Sequence, residues 1–172
     1  MKKIFKKINV CRICNGKNLI NIIDLKKQYI QGSFEKGNYP QTVKTKIPLQ
    51  LVICKKCSLV QTKHTVSPDA LYENYWYKSG VNFTMTNHLL KLARESKKIL
   101  KNKNKKVKIL DIGCNDGTLL RSFPKTFIKV GIDPSQIAKK LKSENLTIVN
   151  DFFPSKKILL KHKNDKFDLI TS

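Results

Sequence analysis

The stretch that decides the fold is VKILDIGCNDG, residues 107–117. Residues 107–112 are a short apolar run of the kind that forms a buried parallel strand, and the run carries an acid, Asp111, near its end. Gly113, Cys114, Asn115, Asp116 and Gly117 then make a glycine-rich turn, and residues 118–123 read as the helix that the turn opens. A turn of this kind brings backbone N–H groups close to a ligand at a helix N-terminus. From Asp111 to Gly117 the spacing is DxGxxxG, which differs from the GxGxxG of dinucleotide binders, so no pyrophosphate cradle is required.

Working outward, residues 127–132 (FIKVGI) predict a second strand, ending at Asp133. An acid there is placed to accept from ribose hydroxyls. A helix over 135–143 and a third strand over 146–149 lead to Asn150-Asp151-Phe152-Phe153, where Asp151 is suited to an adenine amino group and Phe152 to its ring. Residues 166–171 (KFDLIT) predict a fourth strand. Three acids at three successive strand ends describe an adenosine ligand across the carboxyl ends of a parallel sheet, with S-adenosylmethionine (SAM) the best candidate.

Upstream lie two matched pairs of cysteines, Cys11 and Cys14 in CRIC and Cys54 and Cys57 in CKKC, with 39 residues between the pairs. Two such knuckles supply four thiolates for a tetrahedral zinc ion. Lys55 and Lys56 favour the deprotonation that metal binding needs. The alternatives are redox dithiols or buried free cysteines. Alternating stretches at 19–25 and 47–53, separated by Gly32, Gly37 and Pro40, predict strands of a small ribbon-like unit that needs its metal as a staple. With no open coordination position evident, the expected role of the zinc is structural.

Between the two modules, Ser67-Pro68-Asp69 marks a helix start. Tyr72, Tyr75, Trp76, Tyr77 and Phe83 form an aromatic cluster that suits either a hydrophobic seam or a lid over a flat or cationic ligand. From Thr86 onward, Leu89, Leu92, Ala93, Ile99 and Leu100 make one apolar helical face, which fades into KNKNKK at 101–106. The expected organisation is a zinc-binding domain over 8–64, an aromatic linker and helix over 65–106, and half of a nucleotide-type domain over 107–172.

The chain has 172 residues and a net charge of +23, from 35 Lys+Arg against 12 Asp+Glu. Clustered cations suit nucleic acid. Here only Arg12, Arg94 and Arg121 are arginine, so 35 − 3 = 32 of the cations are lysine, whereas planar forks on phosphate or guanine are arginine's speciality. The lysines also run along the whole chain, as a solvated surface does, and the expectation is no nucleic-acid partner. No apolar run reaches the ~20 residues of a membrane span, and the lysine-rich start MKKIFKKINV is no signal peptide. These features predict a cytoplasmic protein.

At these residues the sequence resembles the class I SAM-dependent methyltransferases, and within them the C-methyltransferases with an N-terminal zinc-binding domain, some of which act on nucleotide-linked keto-deoxysugars. CRIC with CKKC, YKSGVNFTMTNH, DIGCNDGTLL, GIDPS and NDFF occur in that order. The resemblance implies Cys11, Cys14, Cys54 and Cys57 as zinc ligands, and Gly113, Asn115 and Gly117 around the methionine part of SAM. It further implies Asp133 at the ribose, Asp151 and Phe152 at the adenine, and Tyr77 and Ser79 in a linker that folds towards the cofactor. The expected fold class is therefore α/β: a zinc module, a linker helix and the first half of a Rossmann-like sheet.

One departure accompanies the matches. Family members run considerably longer, with a His- and Glu-containing segment that supplies the base and a sugar-binding portion after it, whereas this sequence stops at the fourth predicted strand. The reading is thus of a truncated or split methyltransferase, completed by a separately encoded C-terminal half, with a nucleotide sugar as substrate once completed. No catalytic base is identified, since His64, His88 and His162 match no such position and read as surface or cap residues. The competing readings are a zinc-ribbon nucleic-acid binder, part of an RNA methyltransferase, and an inactive gene remnant.

Overall fold

The computed structural model describes residues 4–30, 45–72, 75–100, 106–143, 145–163 and 166–172. Gly32, Gly37, Pro40 and residues 101–105 of the lysine-asparagine run lie outside the described residues. The chain divides into two compact units, Met1–Asn74 and Tyr75–Ser172, a division that falls inside the segment read as the linker.

In the first unit β1 (Phe5–Lys7) pairs antiparallel with β5 (His64–Val66). Three further strands, β2 (Leu19–Gln28), β3 (Ile47–Cys54) and β4 (Val60–Thr62), form an antiparallel sheet in the order β2-β3-β4. Both expected strands are present, and β2 runs on to Gln28 because Lys27 and Gln28 still find partners in Pro48 and Ile47. Register shifts at Asn21/Ile23 and Asp24/Lys27 break its alternation. Strands β1, β4 and β5 span three residues each, too few for a period of two to stand out. A short helix α1 (Pro68–Tyr72) begins on the proline that suits a first helical turn. Among the described residues few side chains are fully buried here: Cys11, Val52 and Cys54 are, while Ile20, Ile22, Ile23 and Leu25 are exposed. So thin a core is what a metal staple compensates.

The second unit opens with a 3-10 turn, Ser79–Val81, and helix α2 (Phe83–Ile99). Helix α2 starts three residues before Thr86, because the Asn82 side chain accepts from the Met85 amide at 3.0 Å and caps it. Then follow β6 (Lys108–Ile112), α3 (Thr118–Arg121), β7 (Ile128–Ile132), α4 (Gln136–Lys139), β8 (Thr147–Val149), α5 (Lys156–Lys161) and β9 (Leu169–Thr171). The four strands form one parallel sheet in the order β8-β7-β6-β9.

Alternation along β6 sends Ile109 to one face and Leu110 to the other. On the first face Ile109 packs with Ala93 of α2, Leu119 and Leu120 of α3, and Phe123. On the second, Leu110 packs with Val130, Ile132, Val149 and Ile158 of α5. Burying each such side chain contributes roughly 1.5–3 kcal/mol, and cover on both faces is what a parallel sheet requires. Helices α3 and α4 end earlier than expected. Helix α5 was not expected at all; its start is fixed by Ser155, whose hydroxyl accepts from the Lys157 amide at 3.1 Å. The architecture is the α/β arrangement anticipated, a Cys-rich module plus a partial Rossmann-like sheet. Its strand order, third-second-first-fourth along the chain, reverses direction between β6 and β9, the place where such sheets bind ligands.

Candidate functional site

The four knuckle cysteines converge. Their sulfurs all lie within 4.8 Å of one another, with Cys11 Sγ 3.6 Å from Cys57 Sγ and Cys14 Sγ 3.5 Å from Cys54 Sγ. Zinc–sulfur bonds of about 2.3 Å place tetrahedral sulfurs about 3.8 Å apart, so the donor set fits the ion. The two knuckles repeat each other at an interval of 54 − 11 = 43 residues. Asn15 and Ser58 both adopt left-handed backbone, at φ 57° and 60°. Their amides donate to Cys11 O and Cys54 O at 3.1 and 2.8 Å, and the amides of Cys11 and Cys54 donate to Gly16 O and Leu59 O at 2.8 and 3.0 Å. Gly16 is required by close approach, since a Cβ there would lie 3.1 Å from Cys54 Sγ and 3.3 Å from Cys14 Sγ.

These turns aim amides at the first sulfur of each pair. The Cys14 and Ile13 amides hold the Cys11 thiol down at about 6, with the Gln61 side chain and Cys57 adding to them against burial. Burial raises Cys54, but the amides of Cys57 and Lys56 outweigh it and the net shift is downward. At Cys57 the Leu59 amide pulls down, yet protons shared with the other thiols, together with burial, push it up to about 12. Thiolate character thus gathers on Cys11 and Cys54, one in each knuckle, and loading a metal would release the remaining protons.

Around this centre sit two residues that the sequence reading did not single out. Gln61 is buried at the inward position of β4 and donates through Nε2 to Cys11 Sγ at 3.2 Å. Its Oε1 accepts from Arg12 N and Arg12 Nη1 at 3.2 and 3.1 Å. Arg12 also donates to Thr62 O at 2.7 Å and Thr65 Oγ1 at 2.8 Å. Gln61 is the buried residue of β4, and nothing in so short a strand marks it in the sequence.

In the second unit the glycine-rich loop is built differently from expectation. Gly113, Asn115 and Gly117 have φ of 78°, 50° and 74°, yet the loop's amides are not free for a ligand. Gly113 N and Cys114 N donate to Ile132 O, Gly117 N to Cys114 O, Asn115 N to Asp133 Oδ2, Asp116 N to Asn115 Oδ1 and Thr118 N to Asp116 Oδ1. Each backbone amide over 113–118 is therefore already engaged inside the protein. This corrects the expected cradle of N–H groups: the loop spends its donors on its own fold.

The segment before α2 is clasped to this loop. Asn115 Nδ2 donates to Tyr77 O at 2.9 Å, and Ser79 N donates to Asn115 Oδ1 at 3.1 Å. Gly80 N donates to Asp116 Oδ2 at 2.8 Å. The other oxygen of Asp116 also accepts from Thr118 Oγ1 at 2.6 Å, so Asp116 faces inward and is fully used.

Beside the loop, at the β6/β9 reversal, lies a cavity of about 310 Å³, at the small end of ligand pockets. Of the residues singled out from sequence it gathers Ser79, Asp111, Gly113, Cys114 and Asn115; Tyr77, Asp116, Gly117, Asp133, Asp151 and Phe152 are not among its lining. Met85, His88, Leu89 and Leu92 from α2, with Thr118, Leu119, Thr171 and Ser172, complete the wall. His88 was read as a surface residue and is exposed; it also fronts this space, on the same helical face as Leu89 and Leu92. A Cβ on Gly113 would meet nothing within 4 Å, so open space adjoins the loop there.

The acids differ in what remains of them. Asp111 is buried and accepts from Thr171 Oγ1 at 2.7 Å. Burial pushes its carboxyl up, Thr171 opposes this, and the Asp133 charge reinforces it. Asp133 is buried too and accepts from Asn115 N and Ser135 N at 2.9 and 2.8 Å. Two of the roughly four lone-pair sites of a carboxylate are thus occupied. Asp151 accepts from Phe152 N at 2.9 Å and Ser155 Oγ at 2.6 Å, and Lys157 Nζ stands 3.8 Å away. The Ser155 hydroxyl, then the Phe152 amide, hold its carboxyl below the ordinary range. Its present work is to organise the turn into α5.

Residues 11–72 match a methyltransferase family profile described as "Putative zinc binding domain". Over 137 residues the chain is 23% identical to the C-methyltransferase NovU of Streptomyces niveus, covering 79% of this chain and 32% of that protein. It therefore spans about a third of that relative's length. Among the described residues, no helix is long and apolar enough to cross a membrane. Residues 11–72 are thus similar to that zinc-binding domain family, and the chain as a whole is similar to part of a C-methyltransferase.

Proposed function

We propose that the chain is the zinc-binding and SAM-binding part of a C-methyltransferase acting on a nucleotide-linked keto sugar. The observation that carries the cofactor reading is the state of the glycine-rich loop. A phosphate site presents free amides; here the amides are consumed internally and the charged group facing the cavity is the Asp111 carboxylate. That environment favours a cation over an anion, and SAM carries a sulfonium and an ammonium. The open space at Gly113 and the two uncommitted lone pairs of Asp133 fit the group as well.

On this reading Asp111 receives the cationic end of the cofactor, Ser79 and Asn115 line its path, and Asp133 accepts from the ribose. Met85, Leu89, Leu92 and Leu119 supply the apolar part of the wall. Asp151 and Phe152 complete the set on the adenine side. When bound, SAM supplies an electrophilic methyl group. The zinc, held by Cys11, Cys14, Cys54 and Cys57, is structural, since four protein sulfurs leave no open position. Transfer to a carbon next to a ketone needs a base that removes the proton from that carbon, and this chain assigns no residue to that step. A partner carrying the base and the sugar site completes the reaction in this scheme.

Titration calorimetry of the zinc-loaded protein with SAM tests the reading. Binding that is weakened at least tenfold in Asp133→Asn is the expected result. A folded, zinc-loaded chain that takes up no SAM at high micromolar concentration would overturn it.

A further inference from the structure

We infer that Gln61, held from behind by Arg12, is a positioning residue for the metal: it fixes Cys11 in its ligating orientation and thereby sets how tightly the centre holds its ion. The two knuckles are matched in backbone hydrogen bonds and in the left-handed residue after each pair. Their side-chain environment is not matched. Cys11 Sγ accepts from Gln61 Nε2 at 3.2 Å; among the described residues the side-chain contacts of Cys14, Cys54 and Cys57 are to other cysteines.

The geometry behind that contact is over-determined. Gln61 sits on β4, opposite the fully buried Val52 of β3, so the strand's alternation points it inward. Its amide is oriented by two donors from Arg12 on Oε1, which leaves the NH2 group facing sulfur. Arg12 is in turn locked by Thr62 O and Thr65 Oγ1, and it lies inside the first knuckle itself, between Cys11 and Cys14. One side chain thus ties a ligand turn to β4 and β5. Four thiolates on a divalent ion leave two negative charges, and an oriented N–H on one sulfur with a guanidinium behind it spreads that excess. Outer groups of this type govern affinity as well as orientation, by about 10–100-fold.

The test uses the full chain, with zinc affinity measured by chelator competition and the ligand field read from the charge-transfer band of the cobalt(II)-substituted protein. Gln61→Met preserves the bulk and removes the donor; Gln61→Glu keeps an acceptor for Arg12 and removes the donor. Both are expected to fold in excess zinc, to lose the ion 10–100-fold more readily and to shift the cobalt band. A Gln61→Met protein that holds zinc as tightly as the parent, with an unshifted band, would overturn the inference. Should that variant not fold, Arg12→Lys decides. It keeps the charge but lacks the fork that orients Gln61, so weaker binding with a shifted band supports the relay and parent-like binding refutes it.

Discussion

Asp111 is a point of conflict in the second unit. A carboxyl group is buried at the end of β6 with one hydroxyl donor and another acid nearby, and burial raises its pKa. The folded chain therefore holds the Asp111 proton more tightly than the unfolded chain does. Stability from this group is fully present below the ordinary aspartate range and is lost as pH rises through the raised value. Asp111→Asn should abolish that slope, keep the acceptor for Thr171, and melt above the parent at pH 7. Thermal unfolding of both proteins across pH 4–7 checks this, and an Asn variant that melts lower at pH 7 would mean that the charge is compensated after all. Such tolerated conflict is expected where a cation is to be received.

At the scale of elements, the segment from Tyr75 to the start of α2 is fastened by Gly80. A Cβ at this position would lie 2.7 Å from Thr118 Oγ1 and 3.0 Å from Asp116 Oδ2, two groups already bonded to each other. Gly80→Val is expected to push the 3-10 turn off the loop, at a cost of about 1–3 kcal/mol. The chain has one tryptophan, Trp76, and it lies in this segment in edge contact with Tyr77 at 6.3 Å. Its fluorescence reads the displacement directly; an unchanged spectrum and unchanged melting would show that the clasp yields without consequence.

The parallel strands were legible because each is a compact apolar run and the first three have an acid at or near the end. Helix α5 was not, since Lys156 to Lys161 offers only Ile158 to the core and its six residues are too short for a helical period to stand out. The cysteine centre was legible from spacing alone. Gln61 and Arg12 were not, because a three-residue strand shows no alternation and an arginine inside a knuckle looks like any surface cation. The loop's hydrogen bonding was the least accessible of all: DxGxxxG announces a turn, but whether its amides face a ligand or the protein depends on Ile132, Asp133 and Asn115 meeting in space.

For the whole molecule, the contrast between the units governs its response to metal removal. Among its described residues the first unit buries Cys11, Cys54, Val52, Ile30 and Gln61, whereas the second has apolar clusters on both faces of its sheet. Chelation of zinc is expected to unfold residues 1–74 while β6 to β9 retain slow amide exchange, as followed by hydrogen exchange with and without chelator. Uniform loss of protection through the sheet would contradict the assignment of separate cores. The charge of +23 adds a diffuse repulsion at this scale, one that salt weakens.

The matched knuckles have a further consequence for the history of the chain. Because each turn completes its own hydrogen bonds, the ion has only to hold two finished halves together, closing the 39 residues between Cys14 and Cys54 into a ring. A covalent tie across such a ring would contribute about 4 kcal/mol, and doubling the ring's length would alter the closure entropy by only about 0.6 kcal/mol. The clasp is therefore nearly indifferent to the length of chain it closes, and the ion holds the ends at almost the same entropic cost for arms of many lengths.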